Sequence, residues 1–462
     1  MNDTSPTRAA GRFSVLWRGD ILPTLALGAP IAGAQVAQMA VNTADVLMIG
    51  WLGATELAAA VLAFNLYIVL WLFGMGVLQA VIPLAARARG EGQARELRRA
   101  VRMGFWFVAL YSVPVWAVMW HTEELLIALG QKPEVAALAG GYARIMMISL
   151  LPSLLTMALR SFITVMERAQ AVLWATIAGA VLNAIVNYVL IFGHFGFPRL
   201  ELVGAAIGSV ITATVTLLLL VGYVLRDRQL RRYHVFGRIW RSDWPKLAEI
   251  VWLGWPIAVT LLVEVALFSG TSVLMGWIGT IELAAHGIAT QLASITFMVP
   301  IGIGRAAMIR IGLAAGRGDR PGVGRAGWTG FGIGMAFMGA CAIAFWVIPG
   351  TLVGLFLDFG NPDAANVFAI GVSFLAVAAL FQVFDGAQVI GGSLLRGLSD
   401  TKVPMIMAIV GYWGVGMTGA YILGFPLGLG GIGIWLGLAA GLAFVSVLVM
   451  WRFALRERIG LL

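Results

Sequence analysis

Charge is scarce in this chain. Asp, Glu, Lys and Arg make up 11% of its 462 residues, against roughly 25% in soluble domains. With 60% hydrophobic residues and a mean hydropathy of +0.92, that scarcity excludes a soluble globule. Cysteine is scarcer still: Cys341 stands alone, which rules out an intrachain disulfide and leaves the redox compartment open. Only four histidines occur, His121, His194, His234 and His286. None shows ligand spacing, and all lie near the ends of apolar runs, where loop or interface positions are expected. There is no Walker A run, no C-x-x-C, no H-E-x-x-H and no G-x-S-x-G, and no mid-span His to serve an intramembrane hydrolase. An enzyme is not expected.

What the chain does have is apolar runs of about 20 residues, each long enough to cross a bilayer as a helix. Twelve spans are expected, at 22–48, 57–84, 101–120, 137–158, 169–192, 203–225, 248–276, 283–312, 327–348, 365–392, 403–424 and 431–453. Seventeen Trp and 58 Gly suit the aromatic belts and close helix crossings of membrane bundles. Residues 1–20 are polar and carry Arg8, Arg12 and Arg18. The run that follows is too long for a signal-peptide core and has no A-x-A-like cleavage site, so it is expected to be retained. Of the 31 Lys and Arg, all but Lys132, Arg144 and Arg199 fall on one set of alternate loops. The positive-inside rule then puts both termini in the cytoplasm. The basic stretch at 226–246, RDRQLRRYHVFGRIWRSDWPK, is expected to be a cytoplasmic connector rather than a nucleic-acid or head-group site.

The second half repeats the first. Residues 27–62 shifted by 226 positions lie on 253–288 without a gap, with 13 of 36 identical. LGAPIA meets LGWPIA, Gly50, Trp51 and Gly53 meet Gly276, Trp277 and Gly279, and ELAA recurs at 56–59 and 282–285. The register persists through Gly76 and Gly302. Six helices per repeat is even, so the repeats share one topology and are related by an axis along the membrane normal, with a cavity between the halves. The expected architecture is therefore an all-α integral membrane protein of two parallel-repeat six-helix bundles. Its parts are a tail at 1–21, an N-lobe at 22–225, a connector at 226–247, a C-lobe at 248–453 and a tail at 454–462. Glu56 and Glu282 follow Gly-rich turns and open helices, where the dipole favours a carboxylate. Pro30 and Pro256 each delete a helix hydrogen bond and permit a bend, as a fixed kink or as a hinge.

Ionisable groups inside spans are costly and mark function by default. Three acids qualify: Asp45, Glu264 and Asp385. On the first span Gln35, Gln38, Asn42 and Asp45 step by three, four and three and form one stripe. On the seventh, Thr260, Glu264 and Thr271 form its counterpart. Glu264 aligns with Gln38, and Asp45 aligns with Thr271. Seven residues are about 10 Å of helix, so the two acids lie at different depths. Phe381, Asp385 and Gln388 share a face of the tenth span, and Asn183 and Asn187 are four apart on the fifth, where they could partner Asp45. A polar-lined cavity is expected in each half. Without a nucleotide site, energy must come from an ion gradient. A desolvated carboxylate can carry a proton, or with amide and hydroxyl oxygens it can coordinate Na⁺.

The segments VNTADVLMIGWLG, VLMGWIG, NAIVNYVLIFGHFG at 183–196 and GAQVIGGSLLRGLSDTKVP at 386–404 resemble the multidrug and toxic compound extrusion (MATE) transporters, in their NorM-like branch, over essentially the whole chain. The resemblance implies two six-helix lobes that rock between outward and inward states. It also implies export of organic cations or amphipathic drugs and toxins in exchange for Na⁺ or H⁺. By position it gives Glu264 and Asp385 the coupling role, as candidates to hold Na⁺, and makes Asp45, Asn183 and Asn187 the N-lobe site. From the spacing, Gln38, Asn42, Thr260 and Gln388 are expected to line the cavities, and Pro30 and Pro256 are the candidate hinges if their bends are not fixed kinks. Some NorM-like members place a Tyr one turn before the tenth-span acid; Phe381 stands there here, which offers a ring face but no hydroxyl. No cofactor beyond the coupling ion, no nucleic-acid partner, a monomer and a bacterial inner-membrane location are expected. The rival within the superfamily is a flippase for lipid-linked sugars, which would line its cavity with Arg or Lys; mid-span cations are lacking. A receptor or scaffold would tolerate neutral acids, and a channel fits a two-lobe repeat poorly.

Overall fold

A computed structural model describes residues 17–358, 360 and 362–462. The expected tail at 1–21, with Arg8 and Arg12, lies largely outside them. Among these residues, twelve helices are long and apolar enough to cross a membrane: α1 (Gly19–Gly50), α2 (Thr55–Gly90), α3 (Ala94–Trp120), α4 (Pro133–Val165), α5 (Ala169–Phe192), α6 (Glu201–Arg226), α7 (Trp244–Ile278), α8 (Thr280–Gly316), α9 (Arg320–Val347), α10 (Ala364–Gly397), α11 (Lys402–Gly424) and α12 (Gly430–Ala454). Each overlaps one expected span, and no strand occurs among the described residues. Pro30 and Pro256 lie inside α1 and α7, whose helices run on through them.

The turns between paired helices are built alike in both repeats. Gly53 caps α2 and Gly279 caps α8, and the carboxylates of Glu56 and Glu282 fold back over them. A Cβ at Gly53 would lie 2.5 Å from Glu56 Oε2, and one at Gly279 would lie 2.2 Å from Glu282 Oε2. A carboxylate at the third helical position reaching back to the cap is capping-box geometry. Trp51 and Trp277 beside these turns stay about two-thirds exposed, as suits an interfacial aromatic belt.

By packing, the chain divides into two compact units whose borders fall inside α1 and α7, two residues past each proline. One unit is Gly33–Ala258; the other is the chain up to Ala32 together with Val259–Leu462. The lobes expected from the repeat, 22–225 and 248–453, each begin with a whole helix. The packing instead assigns the first turns of α1 to the second unit and the first turns of α7 to the first. Repeated glycines explain why. In the first unit a Cβ at Gly76 would lie 2.4 Å from Ala258 Cα, and one at Gly254 would lie 2.4 Å from Val77 O. In the second, a Cβ at Gly302 would lie 2.6 Å from Ala32 N, and one at Gly28 would lie 2.7 Å from Ile303 Cδ1. Those four positions are related pairwise by the 226-residue shift. Lipid gives helices little hydrophobic reason to associate, so small residues that allow backbone approach must supply the packing.

Ion pairs fasten the same helix ends. Arg310 on α8 donates to Asp20 Oδ1 at 2.8 Å and to Thr24 Oγ1 at the start of α1, and Asp20 is 9% exposed. In the first unit Arg99 on α3 pairs with Asp243, just ahead of α7. The Arg99 guanidinium holds the Asp243 carboxyl below the usual carboxylate range. The pair is therefore intact at neutral pH and is lost only as pH falls through that lowered value.

The second unit is organised around α10, which packs on α8, α9 and α12. Its core holds Trp435, Phe381, Tyr412 and Phe453, each no more than 1% exposed. His286 is buried there too, 2% exposed and edge-on to Trp435 at 5.4 Å. It is a core residue, where the sequence suggested a loop or interface. On α12, Gly433, Gly437 and Gly441 form a small-residue stripe against α11; a Cβ at Gly437 would lie 2.1 Å from Ala420 N.

Candidate functional site

In the second unit four side chains meet. Gln388 Nε2 on α10 donates to Glu264 Oε1 on α7 at 3.1 Å and to Asp385 Oδ1, one turn away, at 3.3 Å. Tyr412 on α11 donates its hydroxyl to Gln388 Oε1 at 2.7 Å. That bond fixes which way the amide points, so its two N–H groups face the two carboxylates. Asp385 and Gln388 are 4% and 6% exposed, Tyr412 is fully buried, and Glu264 is half-buried. Arg396 lies close enough for its charge to act on Glu264. The charge acting on Asp385 is that of Glu264, of the same sign. One neutral amide, with the charge of Arg396 acting on Glu264 alone, leaves the Asp385 carboxylate uncompensated at membrane depth, so the arrangement favours taking up a cation. Thr260, one turn before Glu264, is buried.

The sequence missed Tyr412. It sits in a π-helical segment, Val410–Met417, which breaks the 3.6-residue period that a face-by-face reading relies on. Such wide turns recur at functional sites. Phe381, expected to line the site with a ring face, instead packs in the aromatic core, with centroids 5.3 Å from Trp435 and 6.0 Å from Phe268. The hydroxyl that Phe381 lacks enters the cluster from another helix.

In the first unit Asn187 Nδ2 donates to Asp45 Oδ1 at 2.6 Å and to Asn183 Oδ1 at 3.4 Å. Both asparagines are buried, and Asp45 is half-buried. Gln38, Asn42, Asp45 and Asn183 line a cavity of about 190 Å³ within this unit. Its wall adds polar groups that the sequence did not single out. Tyr67 OH lies 3.1 Å from Ser149 Oγ, and Trp71 Nε1 donates to Ser153 Oγ at 3.0 Å. Arg160 also reaches the cavity and donates Nη2 to Thr176 Oγ1 at 2.9 Å; from sequence it read as a residue of the basic loops. Thr271, the counterpart of Asp45, turns its hydroxyl onto Phe268 O of its own helix at 2.9 Å, so it does not stand in for the Asp45 carboxylate.

Gly208 on α6 makes room for the Asp45 partner, because a Cβ there would lie 2.0 Å from Asn187 Oδ1. Gly208→Ala should push Asn187 away from Asp45, and Asp45→Asn should remove the charge. If coupling rests on the other cluster, each variant keeps part of its transport, with a loss of about tenfold, the value of one charge-assisted hydrogen bond. Cationic-dye efflux rates in cells, normalised to folded protein, check this.

The MatE family model matches residues 30–189 and 256–422, one block in each repeat. The probable multidrug resistance protein NorM of Rhizobium meliloti is 48% identical over 437 residues, covering 95% of this chain and 94% of its own. The probable NorM of Burkholderia mallei is 39% identical over 454 residues, covering 98% and 96%. Among solved structures, one described as the outward-facing conformation of a multidrug resistance MATE family transporter of the MOP superfamily matches with a TM-score of 0.85 at 18% identity. It covers 96% of this chain and 98% of that one, and it speaks for the fold alone. On these matches, with twelve membrane-length helices and two buried acidic sites, the chain belongs to the MatE family of membrane transporters.

Proposed function

We propose that this protein is a secondary active exporter of organic cations and amphipathic drugs, which it exchanges for Na⁺ or H⁺ by alternating access. The observation that carries this reading is the Gln388 amide bridging Glu264 and Asp385 under the Tyr412 hydroxyl. A paired, buried anionic site binds a cation of either kind, but not both at full strength, and antiport requires that exclusion. The names of the relatives support efflux of drugs as the outcome. The one-sided distribution of Lys and Arg supports an inner-membrane protein with both termini in the cytoplasm. It would act as a monomer, with two six-helix lobes as its moving bodies. The position of Pro30 and Pro256, two residues from the borders of the packing units, supports a hinge role for them.

The test is transport in proteoliposomes loaded with ethidium, under a Na⁺ gradient at equal pH and under a pH gradient at equal Na⁺. One of the two gradients should drive dye movement, and its ionophore should stop it. Dye movement that ignores both gradients would contradict coupled export.

A further inference from the structure

The basic stretch, expected to be a cytoplasmic connector rather than a nucleic-acid or head-group site, is docked and folded. Val235 is 1% exposed, Phe236 stacks on Phe105 at 6.1 Å, and Trp106 Nε1 donates to Ile239 O at 2.7 Å. Arg102 Nη1 donates to the carbonyls of Gly237 and Arg238 at 2.9 and 3.0 Å. Between this strap and the start of α3 lies a cavity of about 640 Å³, lined by Arg95, Arg98, Arg99, Arg102, Arg238 and Arg241. The one carboxylate in its wall, Asp243, is taken up by Arg99. Among the described residues, Arg95, Arg98, Arg238 and Arg241 pair with no carboxylate, and the buried Arg98 Nε has no hydrogen-bond partner. The charges of Arg98, Arg238 and Arg241 all act on Arg102.

Topology alone asks for positive loops, not for guanidinium groups gathered around one hollow, where they repel one another. We propose that this cavity binds a phosphate-bearing anion. Guanidinium forks match phosphate oxygens in pairs, and several around one concavity replace the ligand's lost water. Trp240 and Trp244, next in sequence to Arg241 and Asp243 of the cavity wall, are 75% and 59% exposed, and exposed indoles at or just before the start of a spanning helix sit at head-group depth. The phosphate of an anionic phospholipid would reach the hollow from there; a free polyphosphate would reach it from the aqueous side.

The experiment is native mass spectrometry of the purified full chain with equimolar dioleoylphosphatidylglycerol and dioleoylphosphatidylcholine, beside a melting-temperature titration with inorganic pyrophosphate. Retention of phosphatidylglycerol over phosphatidylcholine assigns the site to lipid; stabilisation by pyrophosphate alone assigns it to a soluble anion. The triple variant Arg95→Gln, Arg98→Gln, Arg241→Gln should lose the response, by about fivefold per arginine. A control triple at exposed positions outside the cavity, Arg317→Gln, Arg320→Gln, Arg458→Gln, should keep it. Arg241→Gln alone, at an exposed position, gives the single-step loss should the triple fail to fold. Equal loss in the cavity and control variants, or no anion preference in the wild type, overturns the proposal.

Discussion

Glu264→Gln and Asp385→Asn should each abolish gradient-driven efflux while leaving a folded protein in the membrane. The Gln388 amide donates to both carboxylates, and each substitution keeps the side-chain volume, so packing on α7 and α10 survives. What is lost is one of the two negative charges that draw in a cation. Losing one charged contact to the bound cation costs up to about 3 kcal/mol, or about 100-fold in cation affinity. Asp385→Asn should be the more severe. The charge of Arg396 already acts on Glu264, whereas the charge acting on Asp385 is the like charge of Glu264. Tyr412 holds the amide from the other side, so Tyr412→Phe should show a milder loss of the same kind. Efflux rates of a fluorescent organic cation under an imposed gradient, with protein levels from fluorescence-detected gel filtration, measure all three. Wild-type rates from folded Asp385→Asn would contradict the assignment.

Gly76→Ala and Gly302→Ala should each lower the protein's stability sharply, though neither touches an acid. The Cβ added at Gly76 would meet the Ala258 backbone at 2.4 Å, and the one at Gly302 would meet the Ala32 backbone at 2.6 Å. A side-chain neighbour could turn aside, but backbone inside a spanning helix cannot, so the crossing must open. Overpacking of this kind costs about 3 kcal/mol, and here it also loosens the first turns of α1 or α7 from the unit that holds them. Gly222→Ala and Gly332→Ala supply the contrast. Both glycines lie in helices with nothing within 4 Å of an added Cβ, and there alanine gains up to about 1 kcal/mol in a helix interior. Thermal midpoints of the four purified variants should fall for the first pair and hold or rise for the second.

The repeat made most of this architecture legible before any coordinate. Hydropathy supplied the helices, and the 226-residue register supplied their pairing. It also brought out Gly28, Gly76, Gly254 and Gly302 as related positions, but no single sequence says which helix a glycine meets. The exchange of helix ends at Ala32 and Ala258 therefore emerged only from packing. The acids were legible because charge inside an apolar run stands out. Tyr412 was not, because its neighbours are apolar and its segment winds at the π-helical period. The bridging role of Gln388 was hidden as well: spacing put it on the Asp385 face but could not show that its amide spans to α7. His286 and the connector erred in the same direction. Polar character suggested exposure, whereas His286 and Val235 are buried by contacts made far along the chain.

Antiport rests on one thermodynamic requirement, that the coupling ion and the organic cation weaken each other's binding by the same factor. The measurement that tests it most directly is the Kd of ethidium for the purified protein, read by fluorescence anisotropy. Na⁺ would be varied at fixed pH, and pH varied at fixed Na⁺, for the wild type and for Asp385→Asn. In the wild type, one of the two ions should raise the Kd in proportion to its concentration, and Asp385→Asn should lose that dependence. A wild-type Kd indifferent to both ions, or an unchanged dependence in Asp385→Asn, would contradict the coupling site at Glu264 and Asp385.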